Sequence, residues 1–179
     1  QSLSTGLKGC GPMSNFHFRP LTVTDFPMLH EWLNRPHVSA RWDGKTSLAE
    51  VEERYQRHLN SDCVFPHIVE LNGKPIGFIQ SYNAELVGEG WWESEPPGTW
   101  GVDQYIAEEN LLGKGIGSSF IRTFTDDLLR RPQIKRVITD PAPDNARAIR
   151  SYEKANFVEK GIIQTPDGPA LLMEKVLLI

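Results

Sequence analysis

A chain of 179 residues supports one well-cored domain and is too short for two ordinary ones. With 39% hydrophobic and 23% charged residues it reads as soluble and globular, and no apolar run approaches the roughly 20 residues that span a bilayer. The net charge of −4 argues against a nucleic-acid binder and leaves room for a cationic substrate.

Residues 1–12 are Ser/Gly-rich, without periodicity and without the apolar core of a secretory signal; they read as a disordered leader or cloning scar ahead of a single domain over 13–179. Cys10 and Cys63 cannot form a disulfide framework, and neither belongs to a Cys-x-x-Cys or Cys/His cluster. A reducing, cytoplasmic setting fits. The histidines (His17, His30, His37, His58 and His67) are scattered with no i, i+4 pair, so no metal site is predicted.

Residues 16–21 alternate enough for a first strand. Residues 22–33 predict a helix, with Phe26, Leu29 and Leu33 at helical spacing. Ser47-Leu48-Ala49-Glu50 is a capping box opening a second helix whose apolar face is Leu48, Val51, Tyr55 and Leu59. Strands over 64–71 and 75–82 flank Asn72-Gly73, a hairpin turn whose central positions need positive φ. Residues 85–98 form a long loop with Trp91, Trp92 and several acids, and loops of that length are functional or disordered. A strand over 99–107 feeds a glycine loop. A helix follows over 115–129, with Ile116, Phe120, Phe124 and Leu128 on one face. A buried strand over 136–139, a helix over 146–155 and strands over 157–164 and 170–178 complete an α/β domain with one mixed sheet.

The chemistry starts at Leu112-Gly113-Lys114-Gly115-Ile116-Gly117. A helix N-terminus offers unpaired N–H groups and partial positive charge, and glycines let the backbone approach a phosphate. The segment therefore predicts a pyrophosphate cradle. A Walker A loop would need Gly at 108 and Ser or Thr after Lys114, where Glu108 and Gly115 stand. A Rossmann fingerprint needs G-x-G-x-x-G, whereas the spacing here is G-x-G-x-G with Ser118 next. Asp140 lies where a ribose-binding acid would, but too little chain follows to build a second nucleotide-binding half. A glycine-rich turn without a ligand is the plain alternative.

The loop resembles the Q/R-x-x-G-x-G/A signature of the GNAT superfamily of N-acetyltransferases, with Leu112 where Arg or Gln is usual. About 30 residues later, Asn145-Ala146-Arg147-Ala148-Ile149-Arg150-Ser151-Tyr152-Glu153-Lys154-Ala155-Asn156-Phe157 resembles the superfamily's N-x-x-A-x-x-x-Y-x-K-x-G-F helix. Asn156 replaces the usual Gly, as a residue that tolerates the left-handed conformation ending a helix. The resemblance implies a GNAT fold, a mostly antiparallel mixed sheet with flanking helices, and acetyl-CoA as co-substrate. Gln104, Tyr105, Ile106, Leu112, Gly113, Lys114, Gly115, Ile116, Gly117, Ser118, Asn145 and Tyr152 are then the cofactor-binding residues. Tyr152 is the acid facing the CoA thiolate, and an N–H near Gln104 to Ile106 receives the oxyanion.

Further segments narrow the family. Leu29-His30-Glu31-Trp32-Leu33-Asn34-Arg35, Leu71-Asn72-Gly73-Lys74-Pro75-Ile76-Gly77, Gly90-Trp91-Trp92-Glu93, Gly101-Val102-Asp103-Gln104, Thr139-Asp140-Pro141 and Thr165-Pro166-Asp167-Gly168-Pro169-Ala170 resemble the aminoglycoside 6′-N-acetyltransferases. That group also carries Leu before its glycine loop. By position, Asp103 is implied as the catalytic acid beside the transferred amine. Glu89, Asp140 and Asp167 are implied to hold other ammonium groups, and Trp42 and Trp92 to form walls. An acid-lined, aromatic cleft suits a polyammonium sugar. The expected partner is thus a cationic aminoglycoside, with no nucleic acid and no membrane, and the protein a monomer or weak homodimer. A siderophore-pathway acetylase acting on a hydroxylysine-like amine is a rival, which would place a histidine among these acceptor acids. Protein N-terminal acetylation and a silent acyl-CoA-binding module are the others.

Overall fold

The computed structural model describes residues 15–42, 44–87 and 95–177. Residues 1–12, expected to be a leader, lie outside that range, as do Glu89, Trp91 and Trp92. The chain builds one seven-stranded sheet in the order β1-β2-β3-β4-β5-β7-β6. The strands are β1 (Phe16–Pro20), β2 (Val64–Leu71), β3 (Lys74–Asn83), β4 (Thr99–Ile106), β5 (Arg136–Thr139), β6 (Val158–Thr165) and β7 (Gly168–Val176). Only β4 and β5 run parallel; every other neighbouring pair is antiparallel.

Local signals set several of these boundaries. Asn72 and Gly73 take positive φ (52° and 83°), so the β2–β3 turn is the one their side chains allow. The helix α3 (Leu48–Leu59) opens on the Ser47–Glu50 capping box, with Glu50 N–H donating to Ser47 Oγ at 3.2 Å. Its stripe is narrower than the spacing predicts: Val51 and Tyr55 are buried, whereas Leu48 is exposed. The first predicted helix is a 3₁₀ turn, Val23–Asp25, followed by α1 (Phe26–Leu33), because Pro27 is accommodated only in a first helical turn. The four-residue α2 (Pro36–Ser39) comes next and has no signature long enough to read in advance. Asn156 ends α5 (Ala146–Lys154) at φ 76°, in the left-handed conformation expected of it.

Strand alternation sends the core to both sides of the sheet. On one side α4 (Ile116–Leu129) and α5 cover Val69, Ile79, Val102 and Val137 with Phe120, Phe124 and Tyr152. On the other, α1, α2 and α3 cover Ile68, Phe78 and Tyr105 with Leu29, Trp32, Val38 and Tyr55. On this second face the β3–β4 register makes a row of cross-strand pairs: Phe78 with Tyr105, Gln80 with Asp103, and Tyr82 with Gly101. The row runs from hydrophobic core into an open cleft. Phe78 and Tyr105 are stacked at 5.3 Å, and both belong to the core under the helices.

Gly101 is where the Tyr82 ring lies: a Cβ there would sit 2.0 Å from Tyr82 Cζ. The ring is buried, so making room for a Cβ there disturbs packed neighbours. Gly101→Ala should lower stability by about 1–3 kcal/mol. In a Tyr82→Ala background the same change should cost much less. Urea unfolding of the four members of that cycle measures the coupling.

Candidate active site

Strand β5 accompanies β4 for three register pairs only, Thr99–Arg136, Trp100–Val137 and Gly101–Ile138. Past that point β4 continues to Ile106 while β5 ends at Thr139, so the two strands part. Thr139 closes the fork by donating its Oγ1 proton to the Val102 carbonyl at 3.2 Å. Backbone groups alternate sides along a strand. Ala107 N–H bonds to Ile76 O and Thr99 O accepts from Ala84 N–H, so the odd-numbered residues of β4 address β3. The even-numbered ones address the gap. Gln104 N–H is the first amide past the fork, and Ile106 N–H follows it.

The gap widens into a cleft of about 1170 Å³. Its lining includes Trp42, Asp103, Asp140 and Asp167 together with Leu112, Gly117, Asn145 and Tyr152. These stretches are far apart in sequence, and strand parting brings them to one opening. Trp42 is half-buried and stands edge-on to Tyr105 at 5.0 Å. Asp167 sits in the β6–β7 hairpin turn, which Thr165 fixes by donating through Oγ1 to Gly168 O at 2.8 Å. The hairpin reaches the cleft because Leu171 N–H bonds to Pro141 O at 2.8 Å.

At the phosphate end, Gly115 caps α4 in the left-handed conformation (φ 77°), and Gly113 shares it (φ 74°). A Cβ at either would meet nothing within 4 Å, so this face of the loop is open for a ligand and conformation alone demands glycine. Gly117 is different: a Cβ there would lie 3.2 Å from Ile106 Cδ1, so its absence lets α4 close on β4. Lys114 is exposed beside the loop. Ser118 is buried and turns inward, donating to Gly115 O at 3.0 Å, so only its backbone is available to a phosphate. Asn145 is the N-cap of α5, accepting from Ala148 N–H at 3.3 Å, which commits its side-chain oxygen to the helix end.

Burial governs the chemistry at the fork. It raises the Asp103 carboxyl above its ordinary range, opposed by the hydrogen bond that Gln80 Nε2 donates to Asp103 Oδ2 at 3.2 Å. Burial also raises the Tyr152 phenol well above its ordinary value. Hydrogen bonds to Thr139 and Gln104 oppose this, and the nearby Asp103 and Asp140 charges add to it. Tyr82 is pushed upward too, by burial and then by Asp103 and Asp140. Gln80 and Tyr82 carry no motif and sequence reading passes over both; Thr139 lies in the Thr139-Asp140-Pro141 segment but is given no role there. The one available signal is the β3–β4 register, which sets Gln80 opposite Asp103. His37 and His58 also line the cleft, so the histidine expected of a hydroxylysine acetylase does not separate the two readings.

The sequence matches the acetyltransferase (GNAT) domain family over residues 22–165. Over 160 residues it is 46% identical to the aminoglycoside N(6′)-acetyltransferase type 1 of Klebsiella pneumoniae, covering 87% of this chain and 80% of that one. The chain belongs to the aminoglycoside N(6′)-acetyltransferases, within the GNAT superfamily. Among solved structures, the aminoglycoside acetyltransferase AAC(6′)-Ib in complex with coenzyme A aligns at a TM-score of 0.86 and 44% identity. That alignment covers 90% of this chain and 95% of the other. The same enzyme with coenzyme A and kanamycin aligns at 0.85 and 44% identity over 90% and 95% of the two chains. The chain is therefore an acetyl-CoA-dependent acetyltransferase. Among the described residues no helix is long and apolar enough to cross a membrane, and no group of His, Cys, Asp or Glu is placed to hold a metal ion.

A carboxyl whose folded-state pKa is raised destabilises the fold when ionised. The penalty sets in above the ordinary carboxyl value and is complete above the raised one. Asp103→Asn removes it. The variant's unfolding temperature should exceed that of the unaltered protein near neutral pH, and the two should converge in acid. Scanning fluorimetry from about pH 3 to about pH 7.5 reads the difference.

Proposed function

We propose that the chain transfers the acetyl group of acetyl-CoA to the 6′-amine of an aminoglycoside by direct attack, with Asp103 and Tyr152 as the catalytic pair. The observation that carries this assignment is a half-buried carboxyl and a buried phenol that line the same cleft at the β4–β5 fork. Acetyl-CoA supplies a thioester carbonyl. Gly113, Gly115 and the first amides of α4 hold its pyrophosphate. The open backbone of Gln104 and Ile106 receives its pantetheine arm.

The acceptor is a polycation at neutral pH and must present one neutral amine. Asp140, Asp167 and Trp42 orient the sugar through charge and an aromatic face; Glu89 and Trp92 are assigned to the same wall on resemblance alone. Asp103 takes the proton of the attacking nitrogen as the carbon–nitrogen bond forms. Its raised pKa makes it a stronger base than an exposed aspartate. Gln104 N–H meets the oxygen that gains charge. Tyr152 stays protonated throughout the working range and donates a hydrogen bond to the departing sulfur. Because its pKa is raised, full transfer of that proton is uphill for the phenol; neutralising the nearby Asp103 with the amine proton lowers the cost, and the phenolate recovers a proton from solvent as Asp103 releases its own. Holding both reactants at the fork supplies much of the acceleration, without a covalent enzyme intermediate. One chain supplies both the acid wall and the glycine loop, which supports a monomer or weak homodimer as the working form, placed in the cytoplasm.

Thiol release from acetyl-CoA with kanamycin or tobramycin tests the substrate assignment. Background release across several 6′-amino aminoglycosides would refute it, and tight acetyl-CoA binding with no turnover of any amine would indicate a silent binding module. Tyr152→Phe should cut kcat by about 10²- to 10⁴-fold with little change in aminoglycoside affinity. Asp103→Asn should reduce both kcat and affinity. Normal activity in Asp103→Asn would show that the amine is bound elsewhere.

A further inference from the structure

The end of β4 past the fork has lost a neighbouring strand, yet it must stay straight for an acyl-CoA arm to lie along it. By alternation the Ile106 carbonyl faces the side that β5 has left. His37 Nε2 lies 3.0 Å from that carbonyl oxygen, and Arg35 donates through Nη1 to Ala107 O at 2.8 Å. Both donors come from the start of α2, where Arg35 is the N-cap and Pro36 the first helical residue. Val38, next to His37, is buried in the core, so the turn that carries the two donors is anchored. Arg35 is braced in turn by Glu31 at 2.7 Å and by Glu108 at 3.5 Å. The clamp grips residues 106–108, immediately before the turn Glu109–Leu111 that leads into the glycine loop.

We infer that His37 is a positioning residue for the acyl-CoA substrate: it replaces the missing strand at Ile106 and holds the last residues of β4 in line to receive the pantetheine arm. The inference rests on the acyl-CoA assignment above. Its partner is a carbonyl, so the ring must carry its proton on Nε2 and act as donor. With the Ile106 carbonyl occupied by His37 and the Gln104 N–H assigned to the thioester oxygen, the groups left to face the gap are the Gln104 C=O and the Ile106 N–H. Those suit the alternating donors and acceptors of the pantetheine amides. Nε2 is engaged with the backbone, so His37 is assigned no part in proton transfer to the substrate. Its place in the cleft wall brings it beside the bound arm.

Three variants separate the donor from the ring. His37→Phe keeps a ring without a donor, His37→Gln sets an amide nitrogen near the position of Nε2, and His37→Asn carries a donor that falls short. Titration calorimetry with coenzyme A gives affinity directly, and steady-state assays with acetyl-CoA and kanamycin give each KM. Loss of this hydrogen bond should weaken coenzyme A binding about three- to tenfold in His37→Phe and His37→Asn, with a matching rise in KM for acetyl-CoA. The kanamycin KM should stay within about twofold, and His37→Gln should bind coenzyme A nearly as well as the unaltered protein. Unchanged coenzyme A affinity in His37→Phe would overturn the inference. So would a His37→Gln variant as weak as His37→Phe, or an equal loss of both substrates. If His37→Phe does not fold, the Gln and Asn variants decide, and equal affinities in that pair would overturn the inference. Failure of the unaltered protein to bind coenzyme A would instead refute the acyl-CoA assignment itself.

Discussion

The parting of β5 from β4 is the constraint on which the rest of the site depends. A strand within a sheet has its N–H and C=O groups satisfied on both sides; a strand whose neighbour departs offers one row of them to something else. Here the departure follows a single parallel segment in an otherwise antiparallel sheet. Both strands then lead through loops into helices whose first turns face the opening, α4 after β4 and α5 after β5. An opening at the carboxyl ends of parallel strands, with helix N-termini beside it, favours an anionic, extended ligand. Thr139 sets where the opening starts, because its hydroxyl bonds to Val102 at the fork and also to Tyr152.

Burial at that fork is both useful and costly. Tyr82 and Tyr152 are buried and Asp103 is half-buried beside them, and Asp140 adds its charge to both tyrosines. Desolvation makes the carboxylate more basic and keeps the phenols protonated. The same desolvation opposes folding while Asp103 is ionised. The stacked Phe78 and Tyr105 under the helices make the floor rigid, so the Gln80–Asp103 pair above them has a fixed place.

Features that depend on neighbours in sequence were legible before the fold was known. Asn72-Gly73 and Asn156 take positive φ because few other residues tolerate it. The Ser47–Glu50 box starts α3 because both partners lie within one turn. The short α2 escaped notice: four residues carry no period, and its buried Val38 reveals nothing until the sheet is in place. Two contacts at its start reach 69 and 72 residues along the chain, to Ile106 and Ala107, and no local pattern encodes such a distance.

The sequence by itself determined the order of the longer elements, the glycine loop and the family, because each rests on residue types at short, fixed spacing. It also picked out Asp103, Tyr152, Asp140 and Asp167 as candidate site residues. Only the tertiary structure decided that these meet at one cleft and that β4 is open from Gln104 onward. It also decided that Gln80, Tyr82, Thr139 and His37 line that cleft. The reason is physical: pKa shifts and open backbone edges arise from what surrounds a group in space. Strand pairing between distant segments sets those surroundings.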